Sequence, residues 1–271
     1  MQFTPLFSST NSSLSTRAGA FSALLAIGMG ATLQANAAPA GESSSWGLGV
    51  AAISYQQPYA GIDRENRVLP MISYENDYVR VFGPAVEFKA HSIALGGGQH
   101  LDLRLVGKYD FSGYESGDAA ILNGMRERKG GFWAGGKVKW RTDVVDVTAE
   151  VLADASGNSK GRRVNLGLEK NWRVSENVIL SPRIGASWVD KKYVDYYYGV
   201  TADEARVGRT AYQGKSGLNA ELGLRATYVV DAHHSVFLDL GVSTLSSKIK
   251  DSPLVDRSTE NRVGLGYLYR F

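Results

Sequence analysis

The chain has 271 residues, with 30 Lys and Arg against 27 Asp and Glu, 31 Gly, 14 Tyr and no Cys. The lack of cysteine removes disulfides, thiolate metal sites and thiol nucleophiles, and so even a charge balance leaves no electrostatic footprint for nucleic acid. Mean hydropathy is −0.18, a value that does not argue against a membrane barrel, whose lumen-facing residues dilute every window.

At the amino end, Arg17 precedes an uncharged run from Ala18 to Leu33, followed by Ala35-Asn36-Ala37. A charged start, an apolar core shorter than the roughly 20 residues of a spanning helix, and an A-x-A site make a secretory signal peptide. Residues 1–37 are read as a cleaved signal and 38–45 as a short periplasmic leader. The remainder lacks the run of about 18 apolar residues that a helical span requires.

From residue 46 onward, apolar and polar residues alternate. Leu101, Leu103, Leu105, Tyr109 and Phe111 oppose Asp102, Arg104, Lys108 and Asp110. Phe132, Ala134, Val138 and Trp140 oppose Lys137, Lys139 and Arg141, and Val145, Val147, Ala149 and Val151 oppose Asp146, Thr148 and Glu150. The pattern continues around Val164–Leu168, is cleanest from Leu218 to Tyr228, and recurs from Val236 to Val242. Period two over so many segments predicts strands.

Short connections at 75–77, 96–99, 142–143, 175–177 and 231–233 alternate with long ones near 56–66, 112–129, 155–161, 190–215 and 247–259. Short periplasmic turns and long extracellular loops are the asymmetry of outer-membrane barrels. With a hairpin across Gly83-Pro84, the chain walks through about 12 strands and returns both ends to the periplasm, as an even-stranded barrel requires. That hairpin is the decisive point, since one bulged strand there would make the count odd.

The last segment sets Val263, Leu265, Tyr267, Tyr269 and Phe271 against Arg262, Gly264, Gly266, Leu268 and Arg270. It is expected to close the barrel onto residues 46–55. A soluble barrel of this size would have to fill a wide interior with its apolar face. Here one face is repeatedly charged and the other suits lipid, and closure satisfies every backbone group. The fold class is therefore all-β: a transmembrane, antiparallel, up-and-down β-barrel over residues 46–271 in the bacterial outer membrane, bounded by lipid and lipopolysaccharide.

The candidate lumen-lining set is Asp102, Arg104, Lys108, Lys137, Lys139, Arg141, Asp146, Glu150, Arg163, Glu169, Arg183, Glu221, Arg225, Asp239, Arg262 and Arg270. It either sets selectivity in a pore or forms a salt-bridge network that fills the barrel, and its mixed signs favour the network. The histidines, His91, His100, His233 and His234, come with no G-x-S-x-G or metal-ligand spacing. No catalytic residue, cofactor or metal is assigned. The tyrosine run Tyr193, Tyr196, Tyr197 and Tyr198 reads as an interfacial girdle or a stacking platform for sugars.

Several loop strings are family-specific: Gly124-Met125-Arg126-Glu127-Arg128; Asp154-Ala155-Ser156-Gly157; Asp195-Tyr196-Tyr197-Tyr198-Gly199-Val200 with Gly208-Arg209 and Tyr212; and Asp251-Ser252-Pro253-Leu254-Val255. With them the mature chain resembles the MltA-interacting protein (MipA)/OmpV family of outer-membrane proteins. The resemblance implies a non-enzymatic scaffold linking a murein-degrading lytic transglycosylase to a penicillin-binding protein, and no catalytic residues. A final strand ending in Phe271 implies insertion by the barrel-assembly machinery. A passive channel for small solutes, and a surface binder or adhesin working through the long loops, are the alternatives.

Overall fold

The computed structural model describes residues 44–271. The signal segment and the leader up to residue 43 lie outside the described residues. The strands are β1 (Ser44–Gln56), β2 (Glu65–Asn76), β3 (Val79–Phe82), β4 (Ala85–Gly96), β5 (Gln99–Asp110), β6 (Gly131–Arg141), β7 (Asp146–Asp154), β8 (Arg162–Glu169), β9 (Trp172–Arg173), β10 (Val178–Val189), β11 (Gly217–Val229), β12 (His234–Thr244) and β13 (Thr259–Arg270). All belong to one antiparallel sheet. The β8 and β9 segments both pair with β10, one continuing the other past Lys170 and Asn171, so they form a single stave. The result is a closed barrel of 12 strands.

Closure runs through β13, which pairs with β1 from Gly47↔Arg270 to Gln56↔Asn261. The Gly83-Pro84 hairpin is real: Phe82 pairs with Ala85 and Val79 with Phe88. Gly83 has φ +53°, a turn conformation that an L side chain rarely adopts. This hairpin keeps the strand count even, and both described ends lie with the short turns.

The two faces of the wall are inverted relative to a soluble protein. Leu105 is 60% exposed, Phe132 62%, Leu222 57% and Leu265 54%, whereas Arg104, Lys139, Arg163 and Arg183 on the inner face are each 5% exposed or less. An apolar belt around the outside with charges buried within is stable only where lipid replaces water at the belt. The main hydrophobic core lies at the extracellular end, inside the mouth. A smaller inner cluster joins Ala51, Met71 and Leu268, with Ile53, Phe82 and Phe237 packed against it.

Two helices depart from the expected strand-and-loop plan. Helix α1 (Lys191–Tyr198) starts where the Asp190 carboxylate accepts from the Tyr193 N–H at 2.9 Å, a typical N-cap. Helix α2 (Ser247–Lys250) is a single turn, and a 3₁₀ turn spans Ala120–Leu122.

Candidate functional site

The long loops do not stand out from the barrel as free arms. They fold over and into the mouth as one plug. Tyr59 and Ile62 from the first loop meet Tyr114, Leu122 and Met125 from the third. Tyr193, Val194, Tyr197, Tyr198 and Val200 come from α1 and its exit, and Ile249 and Leu254 from the last loop. They rest on Val106, Trp133, Leu152 and Val189 from the upper inner wall. Leu122, Val194, Ile249 and Leu254 are fully buried.

This placement overturns the reading of the tyrosine run as an interfacial girdle or a stacking platform for sugars. Tyr193, Tyr197 and Tyr198 are 3%, 2% and 6% exposed, and Tyr59 stacks on Tyr198 with ring centroids 5.5 Å apart. The helix turns positions 193, 194, 197 and 198 onto one side, the spacing of a buried helical stripe. An Asp immediately before that spacing was the available signal for a capped helix.

Polar keys lock the plug. Arg128 donates to Glu204 at 2.9 Å and to the Tyr196 carbonyl at 2.7 Å, and its guanidinium lies 5.9 Å from the Tyr114 ring centre. Glu204 also accepts from the Arg126 N–H at 3.0 Å and the Thr201 hydroxyl at 2.9 Å. Burial pushes the Glu204 carboxyl up, but these donors outweigh it and hold the pKa at about 2. Arg209 spends its guanidinium on main-chain carbonyls: Glu204 at 2.6 Å, Asn123 at 3.0 Å, and Ile121. Ser252 donates to the Tyr198 carbonyl at 2.7 Å, and the Leu254 carbonyl accepts from the Ala60 N–H at 2.8 Å. Asp154 binds Ser156 and Ser159 through both hydroxyls and N–H groups, so its carboxylate organises the 155–161 loop.

Below the plug the lumen is an ion-pair lattice. Arg104 and Lys137 share Glu87 at 2.6 and 2.5 Å. Lys108 meets Glu150 at 2.7 Å and Lys139 meets Asp146 at 2.8 Å. Asp102 takes Arg141. Arg163 joins Asp110 at 2.6 Å and covers the Trp133 ring at 3.9 Å, bridging lattice and plug. On the opposite wall Asp239 receives Arg225 at 2.8 Å, Arg183 at 3.0 Å and Arg262 at 3.3 Å, while Glu221 lies 3.3 Å from Arg262.

Glu169 stands across the ladder from Asp146 and Arg183. Arg270 sits at the periplasmic end, where its carbonyl lies 2.7 Å from His233 Nδ1. Beside it, His234 Nδ1 lies 2.6 Å from the Tyr267 hydroxyl, and the Tyr269 and Phe271 rings are 5.0 Å apart. Glu87 and Asp110 belong to the lattice, as does the pair of Arg80 with Glu75, and all of them escaped the lumen-lining set read from the sequence. Asp110 was legible in the alternation of β5, whereas Glu87 lies just past the hairpin in the least regular strand.

A cavity of about 90 Å³ remains among Arg80, Glu87, Arg104, Lys108 and Glu150, room for a few water molecules. At the periplasmic end a vestibule of about 380 Å³ opens between His100, Arg141, Asp146, Glu169 and Lys170. Among the described residues no group of three or more His, Cys, Asp or Glu side chains could hold a metal ion.

The family model for the MltA-interacting protein MipA matches residues 48–271. The chain belongs to that family. It is 27% identical over 258 residues to the MltA-interacting protein of Escherichia coli K12, covering 92% of this chain and 98% of that one. It is 26% identical over 237 residues to the outer membrane protein YiaT of the same organism, covering 84% and 92%. Among solved structures it is similar to the NanC porin, with a TM-score of 0.44, 11% identity, and 82% of this chain and 98% of that one covered. The motifs that carry the MipA resemblance, spread from Gly124 to Val255, meet in or beside the plug: Arg128, Tyr196–Val200, Arg209, Tyr212, Ser252 and Leu254 all make plug contacts.

Proposed function

We propose that this protein is a non-conducting, non-enzymatic outer-membrane barrel that serves as a scaffold for murein-remodelling enzymes at its periplasmic end. The plug carries this reading. Passage of a solute needs a continuous hydrated path, and the extracellular mouth is filled by side chains from Tyr59 to Leu254 that are buried against one another. The lumenal charges support the same view, because each wall pairs opposite signs instead of presenting one sign to a solute. They act as a structural lattice.

The murein partner follows from the relative named MltA-interacting protein, which aligns along 98% of its length. A lytic transglycosylase of the MltA type is the first partner, with a penicillin-binding protein as the second enzyme joined through it. Lipid and lipopolysaccharide cover the outer belt, and the barrel-assembly machinery engages the strand ending in Tyr267, Tyr269 and Phe271. The signal at residues 1–37 delivers the chain for that assembly.

The test is co-purification with the lytic transglycosylase from crosslinked envelopes. Enrichment over an unrelated outer-membrane barrel is expected; equal recovery with both would contradict the scaffold role. A small-solute channel is the second reading, favoured by the vestibule of about 380 Å³ at the periplasmic end.

A further inference from the structure

At about 3.3 Å per residue, the four residues of β3 rise only about 13 Å, half the height of the roughly 25 Å apolar band. Among the described residues, the shortfall leaves parts of β2 and β4 with no β3 residue across from them. Above the hairpin, among the described residues, the register partners of Val68–Met71 in β2 all lie in β1. There Pro70, which lacks an N–H, reduces the number of edge donors. Below the hairpin, the last main-chain bond from β4 toward β3 runs from the Lys89 N–H to the Tyr78 carbonyl at 2.7 Å. Beyond it, among the described residues, Ala90–Gly96 pairs only with β5.

This lower edge differs from the rest of the wall. Every residue from Ala90 to Gly96 is exposed, with no alternation of buried and exposed positions. Register irregularities between Lys89 and His91 and between Ala94 and Gly96 bracket the stretch. Such bulges bend a strand and re-aim its side chains. Ile93, 38% exposed, stands across from Leu101 on the lipid side, and Leu95 is 53% exposed. Ser92 donates to Asp102 at 2.7 Å on the lumenal side, where Ala94 leaves space.

Natural sheets guard open edges with Lys, Pro or inward charges, because an unguarded edge templates another strand. In a chain that is 21% charged, the sequence from Ala90 to Leu101 contains no Asp, Glu, Lys, Arg or Pro. The edge lies at the periplasmic end, beside the β2–β3 turn and on the same rim as the barrel's closing strand.

We propose that Ala90–Gly96 of β4 is a docking edge for an extended segment of a periplasmic protein, which joins the barrel sheet as an added strand. Main-chain hydrogen bonds supply affinity, and side-chain pockets on alternate faces supply selectivity. Ile93 and Leu95 favour apolar partners on one face, and the small Ser92 and Ala94 admit larger ones on the other. The inference rests on the scaffold reading and names the element through which the scaffold works. It also answers a shortage of area: a standard interface buries about 800 Å² per partner, which turns of a few residues do not offer by themselves.

The experiment uses the full chain in lipid nanodiscs with the purified MltA-type lytic transglycosylase of the same host as probe. A photo-crosslinking residue is placed at Leu95, and for comparison at Val144 in the β6–β7 turn. Ile93→Lys/Leu95→Lys is compared with the unaltered protein, and heat-modifiable gel migration reports that the barrel is folded. Crosslinking at Leu95 and an at least tenfold weaker binding of the double variant are expected. If that variant fails to fold, amide exchange in the unaltered protein decides: slowed exchange at Ser92 and Ala94 on adding the probe is expected, and unchanged exchange overturns the proposal. Undiminished binding by the folded double variant, with crosslinks only at Val144, also overturns it while leaving the scaffold role intact. No binding of the probe by the unaltered protein removes both. Crosslinked dimers of the barrel itself would assign the edge to a second copy and overturn the proposal.

Discussion

At the extracellular end, four loops bring tyrosines, aliphatic side chains and two arginines into one packed unit, with Arg128 and Arg209 bonded to main-chain carbonyls from other loops. At the periplasmic end the turns are short, a polar vestibule opens, and among the described residues one strand edge pairs on a single side. The difference separates two kinds of information. Side-chain identity packs the plug at the top, so the recognisable motifs gather there. Under the docking proposal, contact at the bottom falls to backbone groups, which leave little trace in residue type. The motifs that identify the family are thus the ones farthest from the murein layer. They account for the packed plug and carry no mark of a contact at the other end.

The sharpest way to break this comparison is to disturb the lattice without touching the plug. Asp239→Ala leaves Arg183, Arg225 and Arg262 facing one another in the lumen. Removing one partner from a buried ion network costs about 3–5 kcal/mol. The temperature at which the barrel loses its folded gel migration is expected to fall, with no earlier cleavage of the loops by trypsin.

The converse is Gly113→Ala. Gly113 has φ +120°, and a Cβ there would stand 1.7 Å from the Arg128 carbonyl oxygen. Strain of about 1–3 kcal/mol at such a site should separate Tyr114 from Arg128. Cleavage by trypsin after Arg126 and Arg128 is expected to accelerate while the barrel still migrates as folded.

A smaller effect is expected from acid. Glu204 titrates at about 2 in the folded plug, below the roughly 4.3 of an unperturbed Glu. Its contribution is fully present above the unfolded value and is lost as pH falls from about 4.3 toward 2. Loop cleavage by pepsin should therefore rise across that window, and Glu204→Gln should flatten the rise. The smallest effect is Tyr212→Phe, which removes one hydrogen bond to the Lys248 carbonyl, 2.8 Å long. About 1 kcal/mol should appear as slightly faster loop cleavage alone.

Strand identity was legible wherever alternation was regular, as in Leu218–Tyr228 and Val263–Phe271, because a strand between lipid and a polar lumen must alternate. The hairpin at Gly83-Pro84 was legible from its turn residues. The half height of β3 was not, since Val79–Phe82 carries no mark of how far the wall rises above it. The plug escaped for another reason. Loop residues such as Leu122, Ile249 and Leu254 are buried in a cluster drawn from several loops distant in sequence, and no local period announces that. Asp190 followed by residues at 193, 194, 197 and 198 did announce a helix, but the tyrosines there satisfied an interfacial reading equally well. Charge pairing across the lumen was visible only as mixed sign; the register of the ladder decides which pairs form.

Single-channel recording in planar bilayers tests most directly whether the plug closes the barrel. The unaltered protein is expected to insert without ohmic conductance steps, and Gly113→Ala combined with Arg128→Ala, which frees the loops from one another, is expected to conduct. Steady ohmic conductance of the unaltered protein, unchanged in that variant, would contradict a closed barrel.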